Sequence, residues 1–166
     1  MTSVDSKLVS QLSSSGVYTL LLFIPNEITL HAGKLGILKF PRGYYTYTGS
    51  ALGKGASLKN RISRHLKKEK KIFWHIDYLL AEESVSVKAI VAAETVEKIE
   101  CKVNRYLKEL DNAKVVIKGF GASDCKNSCG SHLLYFPGNN EPEKLIQKYV
   151  EGLQGQQHVF SVIVIK

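Results

Sequence analysis

The segment that decides the fold reads Gly-Tyr-Tyr-Thr-Tyr-Thr-Gly-Ser-Ala at residues 43–51 and continues as Asn-Arg-Ile-Ser-Arg-His-Leu-Lys-Lys-Glu-Lys-Lys at residues 60–71. Tyrosine and threonine, which dominate the first part, favour strands. In the second part, Leu58, Ile62 and Leu66 recur at helical spacing. The segment therefore predicts a tyrosine-bearing strand that leads through a glycine-containing turn into an amphipathic helix.

The predicted helix has a cationic face beside its apolar face. At about 100° per residue, Arg61, Arg64 and His65 fall together on one side. Residues 59–71 hold seven lysines or arginines and one acid, Glu69. Because Lys and Arg contacts to phosphates supply most sequence-independent affinity for nucleic acids, this face predicts a polyphosphate-binding surface. The alternative is that residues 67–71 form a solvated helix end, where lysines suit the helix dipole.

Hydrophobic periodicity predicts the other elements. The apolar run at 16–24 predicts a central strand, and the runs at 27–32 and 35–40 predict two strands of an antiparallel meander that ends at 44–50. The fold class that follows is α+β, with a small antiparallel or mixed central sheet flanked by helices. Further strands are predicted at 85–93, 115–117, 133–136 and 159–165, and further helices at 72–83, 96–110 and 141–153.

Length and composition indicate one domain. The chain has 166 residues, of which 44% are hydrophobic and 23% charged, which is enough for a single core. The serine-rich residues 1–15 lack the apolar segment of a signal peptide, so we predict a flexible tail. Residues 16–166 form the predicted domain, with a core at 16–137 and a C-terminal helix and strand at 138–166. The terminal strand must pair with a sheet edge or with another chain.

The net charge indicates the kind of binding partner, and the cysteine content indicates the cellular compartment. The formal net charge of +8 favours acidic partners such as nucleic acids. No apolar run approaches the length of a membrane span, so we expect no membrane partner. Three cysteines in a chain without an export signal indicate reduced thiols in the cytoplasm. Nothing in the sequence indicates an oligomeric state.

A glycine-rich segment at 119–132 carries soft metal ligands. Cys125, Cys129 and His132 offer two sulfurs and an imidazole within eight residues, which is an incomplete zinc set. The fourth ligand is predicted to be Asp124, Cys101 or a distant histidine. The alternative is a loop with reduced thiols and no metal. In the helix predicted at 72–83, His75 and Asp77 cannot pair with each other, and we expect each to make a structural hydrogen bond elsewhere. The alternative for His75 is that it borders the cleft and contacts phosphate or a metal-bound water.

Three motifs resemble the GIY-YIG nuclease superfamily. They are Gly-Val-Tyr at 16–18, Tyr-Thr-Gly at 47–49 and Arg-Ile-Ser-Arg-His at 61–65. The runs at 44–51, 73–80 and 119–125 more closely resemble an uncharacterised prokaryotic branch of small GIY-YIG-like proteins, over roughly residues 16–137. The resemblance implies that the two tripeptides lie on neighbouring strands and that an arginine on the next helix reaches the scissile phosphate.

The resemblance also implies roles for individual residues. Tyr18 or Tyr47 would orient or deprotonate water, with Arg61 and Arg64 lowering the tyrosine pKa. Arg61 would hold the scissile phosphate, and His65 would be an alternative proton acceptor. Glu100 would hold Mg²⁺ or Mn²⁺, with Glu94 and Glu97 as competing positions. The residues expected to contact the nucleic-acid backbone are Arg64, Lys54, Lys67 and Lys68.

Two functions follow from these observations. The first is a metal-dependent endonuclease that acts on DNA, in repair or on structured DNA. The second is a catalytically inactive nucleic-acid-binding module that keeps the basic cleft. A further hypothesis is a zinc-stabilised interaction domain with no nucleic-acid role. The nuclease prediction requires Tyr18, Tyr47, Arg61 and Glu100 to converge on one open, basic concavity.

Overall fold

The computed structural model describes residues 3–110, 112–138, 141–154 and 158–165 and has the predicted α+β fold. Seven strands and five helices lie in these residues, with a short 3₁₀ turn at Gly33–Leu35. The strands are β1 (Gly16–Ile24), β2 (Ile28–His31), β3 (Ile37–Phe40), β4 (Gly43–Ala51), β5 (Ser86–Glu94), β6 (Leu133–Phe136) and β7 (Ser161–Val164). The helices are α1 (Ser3–Ser10), α2 (Leu58–Leu66), α3 (His75–Ala81), α4 (Glu100–Lys108) and α5 (Pro142–Gln154).

The main sheet has five antiparallel strands in the order β6-β4-β1-β5-β7. The prediction of a central strand at 16–24 is confirmed, because β1 lies between β4 and β5. Both faces of β1 are covered, which explains its near-continuous apolar sequence. The terminal strand β7 pairs with β5, so it has the sheet edge that the sequence requires.

One predicted strand pairing and one predicted strand are wrong. The meander does not form, because β4 returns directly alongside the whole of β1 and leaves β2 and β3 as a separate two-stranded sheet. Residues 115–117 form no strand, and their neighbourhood contributes a single bridge between Lys114 and Tyr135. Both segments are too short for their pattern to specify a pairing partner.

Helices cover the two faces of the sheet. Tyr18, Leu20 and Leu22 belong to a core that includes apolar residues of α1, α2 and α3, whereas Val17 and Leu21 pack with α4 and α5. The predicted helix at 96–110 begins only at Glu100, and Val96 is 87% exposed. In the described part of the chain, the longest helix has 13 residues, and no helix has the length and apolarity of a membrane span.

The N-terminal segment is a helix, so the prediction of a flexible tail at residues 1–15 is wrong from residue 3 onward. Val9 and Leu12 are 1% and 7% exposed and join the core on the α2 side. The carbonyls of Leu12 and Ser14 accept hydrogen bonds from the amides of Lys59 and Leu58 at 2.8 and 2.9 Å. These contacts satisfy amides at the start of α2 that have no partner within their own helix.

Replacing Val9 by alanine tests this correction. We expect Val9→Ala to lower the free energy of unfolding by about 2 kcal/mol, because a fully buried side chain loses apolar contacts and leaves a cavity. Leu8→Ala is the matched control, since Leu8 is 39% exposed, and it should cost less than about 0.5 kcal/mol. Urea denaturation measures both changes. Equal effects of the two substitutions would contradict the packing of α1.

Candidate active site and metal centre

A cleft of about 590 Å³ gathers residues from both halves of the chain. The four residues on which the nuclease prediction depends all line it, namely Tyr18, Tyr47, Arg61 and Glu100. They come from β1, β4, α2 and α4. The remaining wall is formed by Phe73, Trp74, His75, Lys98 and part of the loop before β6, including Asp124, Cys125, Lys126 and His132.

Sheet register explains why a glycine faces Tyr18. Gly49 of β4 lies directly opposite Tyr18 of β1. A Cβ atom at residue 49 would lie 2.5 Å from the Tyr18 hydroxyl oxygen, closer than van der Waals contact allows. The glycine therefore leaves room for the phenol, whose oxygen lies 2.7 Å from Nε2 of His65.

The two tyrosines keep their protons. Burial raises the pKa of Tyr18 well above its usual range, and it also raises the pKa of Tyr47. Arg61 acts in the opposite direction on both groups but is outweighed. The expected lowering by Arg61 is therefore present but too small, and because the net pKa of both phenols is raised they act as neutral hydrogen-bonding groups at neutral pH.

His65 supports Tyr18 from behind instead of facing the cleft. It is 2% exposed, and burial lowers its pKa to about 3. In the neutral tautomer that carries its proton on Nδ1, which lies 3.9 Å from Oδ1 of Asp77, Nε2 accepts the Tyr18 hydroxyl hydrogen. The prediction that His65 is an alternative proton acceptor at the reaction centre is wrong, because its ring is buried and does not line the cleft, and its Nε2 already contacts the Tyr18 hydroxyl.

A buried carboxylate holds α2 and α3 together. Asp77 is fully buried and accepts two hydrogen bonds from the Arg64 guanidinium, both at 2.8 Å. It also accepts the backbone amides of Phe73 and Trp74, both at 2.9 Å. Burial by itself would raise the pKa of Asp77, but these hydrogen bonds hold it below its usual range. The expectation that Asp77 makes a structural hydrogen bond is confirmed.

The same network corrects the predicted DNA contacts of α2. Arg64 is occupied by Asp77 and by the carbonyl of Lys71. Lys68 donates to the carbonyls of Leu80, Glu82 and Val85 at 3.2, 2.9 and 2.8 Å, and so caps the end of α3. The predicted DNA contacts of Arg64 and Lys68 are therefore wrong, because both side chains form hydrogen bonds within the protein. Two further predicted contacts, Lys54 and Lys67, are exposed but do not line the cleft.

Arg61 differs from Arg64 in having an uncommitted guanidinium. Its Cζ lies 4.4 Å from the centroid of the Trp74 ring, and within the described residues it has no hydrogen-bond or ion-pair partner. It also lines the cleft. Lys98 and Lys126 add positive charge to the same wall. Sequence reasoning missed both lysines, since neither belongs to a charged run or a motif.

The cysteines and His132 form one compact group. Ligand atoms of Cys101, Cys125, Cys129 and His132 all lie within 4.8 Å of one another. The Cys101 sulfur is 3.6 Å from the Cys125 sulfur and 3.8 Å from Nε2 of His132, and all three cysteines are free. Of the fourth ligands that the sequence left open, Cys101 is therefore the one that joins the group. This Cys₃His arrangement can hold a metal ion.

Hydrogen bonds and an ionic contact shift the pKa values of two of these potential metal ligands, Cys125 and His132. Burial by itself would raise the pKa of the Cys125 thiol, but the amides of Cys129 and Asn127 and nearby thiols lower it to about 6. Oε1 of Glu100 lies 2.6 Å from Nδ1 of His132. Burial works to lower the pKa of His132, but the contact with Glu100 outweighs it and raises the pKa. Metal-binding histidines commonly present their second ring nitrogen to a carboxylate in this way.

Glu94 and Glu97, the competing positions for a metal-binding glutamate, do not line the cleft. Glu94 accepts a hydrogen bond from the amide of Ser14, and Glu97 lies 3.3 Å from His158. Of the three acids, the cleft therefore contains Glu100.

The buried imidazole predicts a pH dependence of stability. The His65 pKa of about 3 lies below the value of about 6.5 in the unfolded chain. The unfolded state therefore takes up this proton first, so the stability contribution is complete above pH 6.5 and is lost as the pH falls. Between pH 7.5 and 5 we expect His65 to account for a loss of about 2 kcal/mol.

Urea denaturation of the wild type and of His65→Gln at the two pH values isolates this contribution. Glutamine keeps a polar group beside Tyr18 but does not titrate, so its stability should depend less on pH. The same loss in both proteins would contradict a neutral, buried His65.

Among the comparisons with known proteins, a family model matches most of the chain. No curated protein and no solved structure matches it. The model of a family described as a domain of unknown function, DUF123, matches residues 17–155, which include every residue that lines the cleft. The chain therefore belongs to the DUF123 family.

Proposed function

We propose that the protein is a GIY-YIG-type endonuclease that hydrolyses phosphodiester bonds of DNA in this cleft. One observation carries the proposal: Tyr18, Tyr47, Arg61 and Glu100, which are far apart in sequence, line one open cavity. The net charge of +8 and the cleft lysines favour a polyanionic substrate. Repair or the processing of structured DNA is the setting that we infer for such an activity.

Arg61 is the residue proposed to bind the scissile phosphate. Its planar guanidinium can donate two parallel hydrogen bonds to phosphate oxygens. Its cation–π contact with Trp74 restrains the group, and its N–H donors have no hydrogen-bond partner within the described residues. Since Arg64 is held by Asp77, the two arginines of the motif have separate tasks, one in substrate binding and one in the scaffold.

The tyrosines are proposed to position water and phosphate. With the Tyr18 hydroxyl hydrogen directed at Nε2 of His65, 2.7 Å away, the oxygen lone pairs can accept a hydrogen bond from a water molecule in the cleft. The Tyr47 hydroxyl has no hydrogen-bond partner in the described residues and can donate to a phosphate oxygen. Both roles use the neutral phenol, as the raised pKa values require.

Glu100 is proposed to help hold Mg²⁺ or Mn²⁺. Its Oε1 contacts His132, which leaves Oε2 as a ligand, and Asp124 lines the same cleft. The residues fit such an ion, because Mg²⁺ in phosphate-processing sites usually takes one or two carboxylates together with substrate phosphates. When bound, the ion would stabilise negative charge on the transferred phosphate and acidify a coordinated water.

The Cys₃His group is proposed to hold zinc. Tetrahedral zinc with sulfur ligands at about 2.3 Å separates two sulfurs by about 3.8 Å, and the Cys101 and Cys125 sulfurs are 3.6 Å apart. Four protein ligands form a closed site, which is typical of structural zinc. The ion would connect the first turn of α4 to the loop before β6. Thiolate ligands require reduced cysteines, so this proposal places the protein in the cytoplasm.

A nucleic-acid-binding module without turnover is the second candidate. It is favoured by the contact of Glu100 with His132 and by the raised tyrosine pKa values, because these features reduce the groups available for catalysis.

A cleavage assay on branched, single-stranded and plasmid DNA with Mg²⁺ or Mn²⁺ tests the nuclease proposal. We expect cleavage by the wild type and a loss of at least about a hundredfold in Arg61→Ala, since the variant lacks the donors for the transition-state charge. Lys54→Ala is the matched control and should retain activity within about twofold, because Lys54 lies outside the cleft. Wild-type protein that binds DNA with a steep salt dependence but cleaves nothing would instead support the binding module.

Metal analysis of purified protein tests the zinc proposal. We expect about one zinc per chain, and Cys101→Ser should lose the metal and part of the thermal stability, because one of four ligands is gone. Asp124→Asn should retain the metal, since Asp124 is outside the group. A folded wild type without metal, or equal zinc content in Cys101→Ser, would contradict the assignment.

A further inference from the structure

An exposed aromatic ring stands at the edge of the cleft. Phe73, in the connection between α2 and α3, lines the cleft and is 74% exposed. Its ring meets that of Trp74 edge-on, with centroids 5.0 Å apart and an interplanar angle of 82°. A large apolar side chain in this position contacts water over most of its surface, so its presence is not explained by core packing.

The backbone beneath this ring is firmly held. The Phe73 amide donates to Oδ2 of the buried Asp77 at 2.9 Å, and the Trp74 amide does the same. The Asp77 carboxylate is itself fixed by two hydrogen bonds from Arg64. Phe73 is therefore presented from an anchored backbone, which reduces the ordering cost when a ligand stacks on it.

The Phe73 ring is more exposed than the Trp74 ring, which is half-buried. The guanidinium carbons of Arg61 and Arg64 lie 4.4 and 4.3 Å from the Trp74 centroid, so cations already contact the indole. Because the Phe73 ring lies 5.0 Å and the Arg61 Cζ 4.4 Å from the Trp74 ring, the two groups are less than about 10 Å apart. One to three nucleotides cover this distance, since a stacked strand rises about 3.4 Å per nucleotide.

We propose that Phe73 stacks an unpaired nucleobase while Arg61 holds a phosphate of the same strand. The substrate class that follows is single-stranded DNA, or DNA with an unpaired base next to the bound phosphate. A planar aromatic ring beside a cationic groove is the usual arrangement of single-strand binders, because every base offers a π face. Bases inside a duplex have their faces covered by their neighbours. The inference rests on the proposed function, since Arg61 is the phosphate ligand in both.

Binding in the absence of turnover tests the inference. A labelled thymine oligonucleotide and a blunt duplex of equal length are titrated with the full chain, without added Mg²⁺ or Mn²⁺ and without a chelator that would remove zinc, and followed by fluorescence anisotropy. We expect the single strand to bind more tightly. Phe73→Ala should weaken single-strand binding by at least about fivefold and duplex binding by less than twofold. Phe73→Tyr should restore the single-strand affinity, because it keeps the ring.

Two controls distinguish stacking from a general effect. Ile37→Ala removes a side chain that is 77% exposed but lies on β3 away from the cleft, and it should change neither affinity. Trp74 is the single tryptophan of the chain, so its emission should change when the single strand binds and change less in Phe73→Ala. Phe73→Ala with unchanged single-strand affinity, or with an equal loss for duplex, would overturn the inference.

The base-stacking role of Phe73 and the nuclease activity can be supported or contradicted independently of each other. Single-strand binding that depends on Phe73 without any cleavage would support stacking and remove the enzymatic function. Cleavage of duplex and single strand at equal rates, unaffected by Phe73→Ala, would support the enzyme and remove the stacking role.

Discussion

The buried carboxylate of Asp77 is the contact on which the α2 and α3 side of the site depends. An isolated ionised group in an apolar core is costly, so its oxygens must be satisfied. Here they accept two hydrogen bonds from Arg64 and one each from the amides of Phe73 and Trp74. The result is a fixed angle between the two helices, which sets Trp74 against Arg61 and places His65 behind Tyr18.

The opposite side of the cleft depends on the Cys₃His group. Cys101 belongs to α4, whereas the other three ligands belong to the loop before β6. Close to them, Asn104 of α4 donates to the carbonyl of Ser131 at 2.8 Å, and the His132 carbonyl accepts the amide of Thr48 in β4. A metal ion in the group would add to these connections between helix, loop and sheet. Glu100, next to Cys101 in sequence, is carried into the cleft by the same turn.

Much of the fold was readable from the sequence because its signals are local. The apolar run of β1 and the tyrosine pattern of β4 each follow from neighbouring residues. The meander was wrong because strand pairing depends on long-range contacts. The tail was wrong because Val9 and Leu12 become buried only against a helix formed much later in the chain.

The candidate site likewise combines features that local sequence patterns predict with features that only tertiary contacts determine. Helical spacing placed Arg61, Arg64 and His65 near one another but did not reveal that Asp77, 13 residues beyond Arg64, takes one arginine and leaves the other open. Spacing likewise identified Cys125, Cys129 and His132, whereas choosing Cys101 required the packing of α4. The burial of Tyr18 and His65, which decides their protonation, depends on how α2 packs against the sheet, and the spacing of these residues does not show it.

The most direct measurement of the central claim is a crystal structure of the full chain with a short single-stranded oligonucleotide and Ca²⁺, with anomalous data collected at the zinc edge. Our account predicts a phosphate within hydrogen-bond distance of Arg61, in the space between Tyr47 and Glu100, and an anomalous peak about 2.3 Å from three cysteine sulfurs. An oligonucleotide bound along Lys54 and Lys67 with the cleft empty would contradict it.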